Sequence, residues 1–191
     1  MLQRLKCSII RDCISLFEVE VKARIKDAAS IESRILQLGA IFQKEIHQSD
    51  IYFQHPIRDF AQTDEALRIR ITDDKNYLTY KGAKLDSTSK TREELEIEVQ
   101  EPLKLLELLT RIGLSPIKKV VKTRKFYLYN DITISIDDVE ELGSFLELEL
   151  AVSDETQIPP ARNRLFSFFK QLKISSKNFE RRSYLELLLG L

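Results

Sequence analysis

"FEVEVKARI", residues 17–25, alternates with a period of two. Side chains two apart on a β-strand share a face, so Val19, Val21 and Ala23 fall on one side and Glu18, Glu20 and Lys22 on the other. The apolar side asks for burial. The opposite side carries two carboxylates and an ammonium in a row, and the reading of that row decides the fold.

The pattern recurs down the chain. "ALRIRIT" (66–72) sets Arg68 and Arg70 against Leu67, Ile69 and Ile71. Thr79 and Lys81 share a face in "YLTYKG" (77–82). In "REELEIEV" (92–99), Arg92, Glu94, Glu96 and Glu98 oppose Leu95, Ile97 and Val99. Lys118, Lys122 and Arg124 share a face in "SPIKKVVKTRKFYLY" (115–129). Asp137 lies opposite Ile132, Ile134 and Ile136, and Glu147 and Glu149 lie opposite Leu146, Leu148 and Leu150. Residues 41–54 also read as a strand, followed by a loop around His55 and Pro56. "DDKN" (73–76) and Asn130-Asp131 are hairpin turn signals. Helical spacing appears in "DAASIESRILQLGA" (27–40), stopped by Gly39, and in "PLKLLELLTRIG" (102–113), opened by Pro102 and closed by Gly113. From Asp154 onward the chain reads as largely helical. Both halves run strand, helix, strand, strand, which hints at an internal duplication.

The chain has 191 residues, 43% hydrophobic and 31% charged, which places it among globular rather than disordered proteins. Residues 1–15 read as an N-terminal appendage and residues 16–191 as a single domain. Lys and Arg number 30 and so do Asp and Glu, and this neutral balance argues against a nucleic-acid partner. No apolar run approaches the roughly 20 residues that span a bilayer, so no membrane is expected. The opening segment is too broken by charge for a signal peptide. Cys7 and Cys13 are the only cysteines, which argues against a disulfide framework and for a reduced, cytoplasmic compartment. Two His and two Cys leave no ordinary zinc site. His47 and His55 lack a partner at useful spacing and read as surface or packing residues. With five glycines and no glycine-rich loop, any bound phosphate must be held by side chains.

An antiparallel sheet with one solvated face is the ordinary alternative, and any single strand here suits it. A solvated face mixes signs, however, whereas these strands sort into acidic and basic ones. Like charges such as Glu94, Glu96 and Glu98 on one face are costly unless cations lie near. Rolling the sheet turns the charged faces inward and the apolar faces outward under helices. Arg and Lys suit phosphate oxygens, and carboxylates suit Mg²⁺ or Mn²⁺. The chemistry that needs both is phosphoryl or nucleotidyl transfer.

The ordered set of motifs resembles the CYTH superfamily, which includes class IV adenylyl cyclases and thiamine triphosphatases. It comprises E-x-E-x-K at Glu18, Glu20 and Lys22; R-x-R at Arg68 and Arg70; Lys81; the alternating Arg92, Glu94, Glu96 and Glu98; K-x-R at Lys122 and Arg124; Asp137; and E-x-E at Glu147 and Glu149. The resemblance spans roughly residues 16–190. "DIYFQHPIRDFAQTDEALRIR" (50–70), "DDVEELGSFLELEL" (137–150) and "RRSYLELLL" (181–189) look like the class IV cyclase branch, in its archaeal form. The resemblance implies an α+β fold: an eight-stranded antiparallel barrel or tunnel with a charged interior and helices outside. It implies Glu18, Glu20 and Lys22 in catalysis. Arg68, Arg70, Lys81, Arg92, Lys122 and Arg124 would hold a triphosphate, and Glu147, Glu149, Asp137, Glu20 and Glu96 would hold Mg²⁺ or Mn²⁺. The expected activity is conversion of ATP to cyclic AMP and pyrophosphate. The alternatives are hydrolysis of inorganic, thiamine or nucleoside triphosphates, and a nucleotide- or polyphosphate-binding module without turnover. A homodimer is implied by the resemblance and by the leucines near the end of the chain. Asp50 and Tyr52 match the family pattern without a role that the sequence supplies. Tyr184 falls in a stretch that reads mainly as core packing but is placed to close a tunnel mouth.

Overall fold

The computed structural model describes residues 17–84 and 92–191. The expected N-terminal appendage, both cysteines and most of the polar loop before Arg92 lie outside the described residues.

Eight strands form one antiparallel sheet. They are β1 (Phe17–Arg24), β2 (Ile41–Gln54), β3 (Ala66–Thr72), β4 (Asn76–Lys84), β5 (Arg92–Val99), β6 (Ser115–Tyr129), β7 (Ile132–Val139) and β8 (Gly143–Val152). The order across the sheet is β1-β8-β7-β6-β2-β3-β4-β5. Among the described residues four α-helices accompany them: α1 (Ala28–Gln37), α2 (Pro102–Arg111), α3 (Ile158–Gln171) and α4 (Tyr184–Leu189). The element boundaries follow the sequence signals. Asp27 caps α1 by accepting from the Ser30 amide at 2.9 Å, and Pro102 opens α2. Gly39 and Gly113 follow the two helices with φ of 97° and 104°, a region only glycine enters cheaply.

Exchanging β1–β4 with β5–β8 maps the sheet order onto itself, with the β2–β6 seam at its centre. The helices α1 and α2 exchange too. The duplication hinted at by the sequence is therefore a two-fold relation in the topology.

The pairing register sorts the faces. Directly paired residues point the same way. Val19 pairs with Leu150, Val21 with Leu148 and Ala23 with Leu146. These residues, with Ile132, Ile134 and Ile136, pack beneath Ile31 and Ile35 of α1 and Leu165, Phe168 and Phe169 of α3. The apolar side of β1 thus points outward under helices, as expected. A second outer cluster joins Phe53 and Ile69 to Leu109 of α2. The opposite face of the sheet is concave. Its ends curl toward each other far enough for the Glu20 carboxylate on β1 to act electrostatically on Lys81 of β4. Strands β1 and β5 are the ends of the sheet, so the expected barrel is a half-barrel around an open cleft.

One end of the cleft is apolar, which the charge pattern did not suggest. Tyr52, Val120, Val139 and Phe145 face inward there and are covered by Tyr184 of α4. Leu185, Leu187 and Leu188 pack against the same cluster. Most of the leucines that suggested a dimer are thus occupied within the chain.

Candidate active site

The inner face gathers the motif residues by register alone. On β1 and β8, Glu20 stands opposite Glu149 and Lys22 opposite Glu147. On β7, Ser135 faces Glu147 and Thr133 faces Glu149. Arg124 of β6 faces Asp137 of β7, and Lys122 faces Gln48 of β2. Asp50 of β2 faces Arg70 of β3, Arg68 faces Thr79 of β4, and Lys81 faces Glu94 of β5. Arg92 lies in β5, paired with Lys84, and its side chain is outside the described part.

Two buried aspartates organise the cations. Asp50, 2% exposed, accepts from Arg70 Nε at 2.7 Å and Nη2 at 2.6 Å, and from Arg68 Nη1 at 3.3 Å. Burial works against its ionisation, but the two guanidiniums outweigh it and hold the carboxyl well below the usual range. Asp137, fully buried, accepts from Lys122 Nζ at 3.0 Å, from Arg124 Nε and Nη2 at 2.5 Å each, and from the Tyr184 hydroxyl at 2.8 Å. Its pKa is likewise lowered, with Arg124 and Lys122 prevailing over burial.

Asp137 therefore sits among cations, and holding a metal would require it to give up these donors. Lys122 titrates low, at about 8, first because it is buried and second because Arg124 is beside it. Lys81 is also lowered, by burial and then by Arg68, although Glu94 lies 2.5 Å from its ammonium.

The acidic side is β1 with β8. Glu149 is pushed up to about 7, by burial and then by the Glu18 and Glu20 carboxylates. Glu147 accepts a hydrogen bond from Arg124 Nη2. Crowded carboxylates that resist joint ionisation suit a hard divalent cation. Among the described residues no three acidic, His or Cys groups converge into a ready cage. Mg²⁺ needs none, since it retains waters and is held by one or two carboxylates plus substrate phosphates. The donor set of Glu20, Glu147 and Glu149, with Glu18 beside it, fits Mg²⁺ or Mn²⁺ on that basis.

The remaining expected residues are placed differently. Lys22, 2% exposed, donates to the Arg182 carbonyl at 2.6 Å and lies 4.1 Å from the Tyr184 ring centre, beneath the C-terminal segment. One of its three N–H donors is thereby turned toward the C-terminal segment rather than the cleft. Glu96 accepts from Thr79 Oγ1 at 3.1 Å, and Glu98 pairs with Lys75 at 2.9 Å, so the β5 acids have cation or hydroxyl partners on β4 and its turn. His47 pairs with Asp73 at 3.1 Å on the exterior, and His55 Nδ1 accepts two loop amides, at 3.2 and 3.0 Å. Neither histidine is a base for the cleft. The sequence reading singled out Asp50 but found no role for it, because its partners lie on the next strand and are seen only once the register is known.

The CYTH domain family matches residues 16–184. The chain belongs to the CYTH family. A Methanocaldococcus jannaschii protein carrying a provisional adenylate cyclase name is 42% identical over 172 residues, 90% of this chain and 98% of its own length. A solved Pyrococcus horikoshii structure superposes with a TM-score of 0.82 at 45% identity, covering 91% of this chain and 98% of the other. A Hippeastrum protein, provisionally named an adenylyl cyclase and described as having a dominant triphosphatase activity, shares the CYTH fold. Its TM-score is 0.68 at 20% identity, over 92% of this chain and 95% of its own.

Proposed function

We propose that this CYTH protein is a metal-dependent enzyme of the class IV adenylyl cyclase type, converting ATP to cyclic AMP and pyrophosphate. The observation that carries the reading is the sorting of charge on one concave face. Arg68, Arg70, Lys81, Lys122 and Arg124 lie on β3, β4 and β6, while Glu18, Glu20, Glu147 and Glu149 lie on β1 and β8. A simple polyanion binder would use cations alone.

In this reading the five basic side chains hold the triphosphate and stabilise the charge that develops on departing pyrophosphate. Glu20, Glu147 and Glu149 would hold Mg²⁺ or Mn²⁺, which would offset phosphate charge. The ribose 3'-hydroxyl oxygen bonds to the α-phosphorus, its proton passes to a β1 carboxylate, and the bond to pyrophosphate breaks. The cytoplasm, where ATP is present, is the compartment the reaction requires. Among the described residues no helix is long and apolar enough to cross a membrane.

Triphosphate hydrolysis is the second reading. In this reading the named groups serve phosphate, metal and the departing proton, and none of them tells a ribose hydroxyl from a water, so a water aimed at the terminal phosphorus uses the same set. Incubation with ATP and Mn²⁺ or Mg²⁺, followed by separation of products, distinguishes the two. Cyclic AMP with pyrophosphate supports the cyclase. Orthophosphate alone replaces it with the triphosphatase, and binding without product removes both in favour of a binding module.

A further inference from the structure

Arg68 and Arg70 sit two apart on one face of β3, about 7 Å from each other along the strand. Both are largely buried, with side chains 11% and 16% exposed. Unaided, two such guanidiniums repel and splay. Asp50 bridges them from the neighbouring strand. It takes Arg70 side-on through two nitrogens and Arg68 through Nη1 only. Among the described residues Arg68 Nε is buried without a hydrogen-bond acceptor, while the Tyr52 side chain acts on the same guanidinium. A buried charged donor without an acceptor is costly and rare. By register Arg68 lies on the concave face, between Tyr52 and Thr79.

We propose that Asp50 is a positioning residue: it clamps Arg68 and Arg70 into one rigid anion seat on the inner face of β3. The inference rests on the triphosphate reading above. The carboxylate does not touch the ligand. It fixes the two forks at a set angle and removes one of their two positive charges, so that affinity comes from geometry rather than from loose attraction. Without it the cations still attract a polyphosphate, but in several registers, of which few place the reacting phosphorus correctly.

The test compares wild type with Asp50→Asn and Asp50→Glu. Each folded protein is titrated with inorganic tripolyphosphate by calorimetry and assayed for turnover of ATP with Mn²⁺. The expected result for Asp50→Asn is one site, affinity within about threefold of wild type or tighter, and kcat at least tenfold lower, since orientation rather than attraction is lost. Asp50→Glu keeps the charge but displaces the forks, and the same tenfold loss is expected. It carries the test if Asp50→Asn does not fold. Restored turnover in Asp50→Glu would make the role one of charge alone and overturn the positioning role. A fall in affinity or site number in step with kcat would make it merely structural, with the same consequence. Wild-type turnover in both variants overturns the Asp50 role while leaving the triphosphate reading standing. A wild-type protein that binds no tripolyphosphate overturns both.

Discussion

Glu147 connects the two sets of charges in the cleft. It faces Lys22 across β1, faces Ser135 across β7, and accepts a hydrogen bond from Arg124, which also holds Asp137. Replacing its carboxylate with an amide keeps the shape and one acceptor but removes the anion that a metal needs. Glu147→Gln is expected to lower turnover more than about a hundredfold, the scale seen when a transition-state charge partner is lost. The folded protein should remain, as read by its circular dichroism melt. Full activity in this variant removes Glu147 from the metal set. At this scale the sequence was legible where a side chain's role follows from its own strand. Glu18, Glu20, Arg68, Arg70, Glu147 and Glu149 announce their common face by alternation. Asp50 and Asp137 do not announce their partners, because the contacts run across the sheet and depend on pairing register. Asp137 looked like one more acid, and its surroundings proved cationic.

Among the elements, the strands and α1 and α2 were readable because their periods, caps and turns act locally. The short helix α4 was not. "SYLELLL" (183–189) has the composition of a core segment, and closure of a tunnel mouth by Tyr184 was only the alternative to that packing role. Its start is fixed by a reciprocal cap: Ser183 accepts from the Glu186 amide, and Glu186 accepts from the Ser183 amide. That cap aims Tyr184 into the cleft, where its ring packs 5.0 Å from Phe145 and its hydroxyl donates to Asp137 at 2.8 Å. Tyr184→Phe removes one hydrogen bond to a buried carboxylate that keeps Arg124 and Lys122 as partners. The expected loss is about 1–3 kcal/mol, visible as a lower urea midpoint at unchanged slope. Tyr184→Ala also opens the apolar end of the cleft and is expected to cost about 3–5 kcal/mol, as for other buried rings. Equal effects from both variants would place the contribution in the hydroxyl and deny the ring its packing role.

In the whole molecule, the two-fold relation of the strands is kept while the charges of the β2–β3 pair are inverted in the β6–β7 pair. In the first half an acid on β2 serves cations on β3; in the second, cations on β6 are served by an acid on β7. Basic residues from both halves thereby meet one ligand, and a bound polyanion ties the halves together. Inorganic tripolyphosphate at about 100 times its Kd should add about 2.7 kcal/mol of stability by mass action. For a chain of this length that raises Tm by about 5–10 °C.

The gain should depend on pH through Lys122. In the free protein this ammonium titrates near 8 because it is buried beside Arg124. An adjacent polyanion favours the charged form and raises that value. Binding above pH 8 must then take up a proton, and affinity falls by up to about tenfold per pH unit until the bound value is passed.

For the free protein the sign is opposite. The unfolded chain keeps this proton up to the ordinary lysine range while the folded one loses it near 8, so this residue's contribution to stability rises with pH between the two. The ligand-induced shift in Tm, taken against the free protein at the same pH, isolates the binding term. It should be larger at pH 7.5 than at pH 9, and the difference should shrink in Lys122→Met, leaving the part that Lys81 contributes. A shift that stays constant from pH 7.5 to 9 in the wild type would mean that Lys122 does not face the bound phosphates.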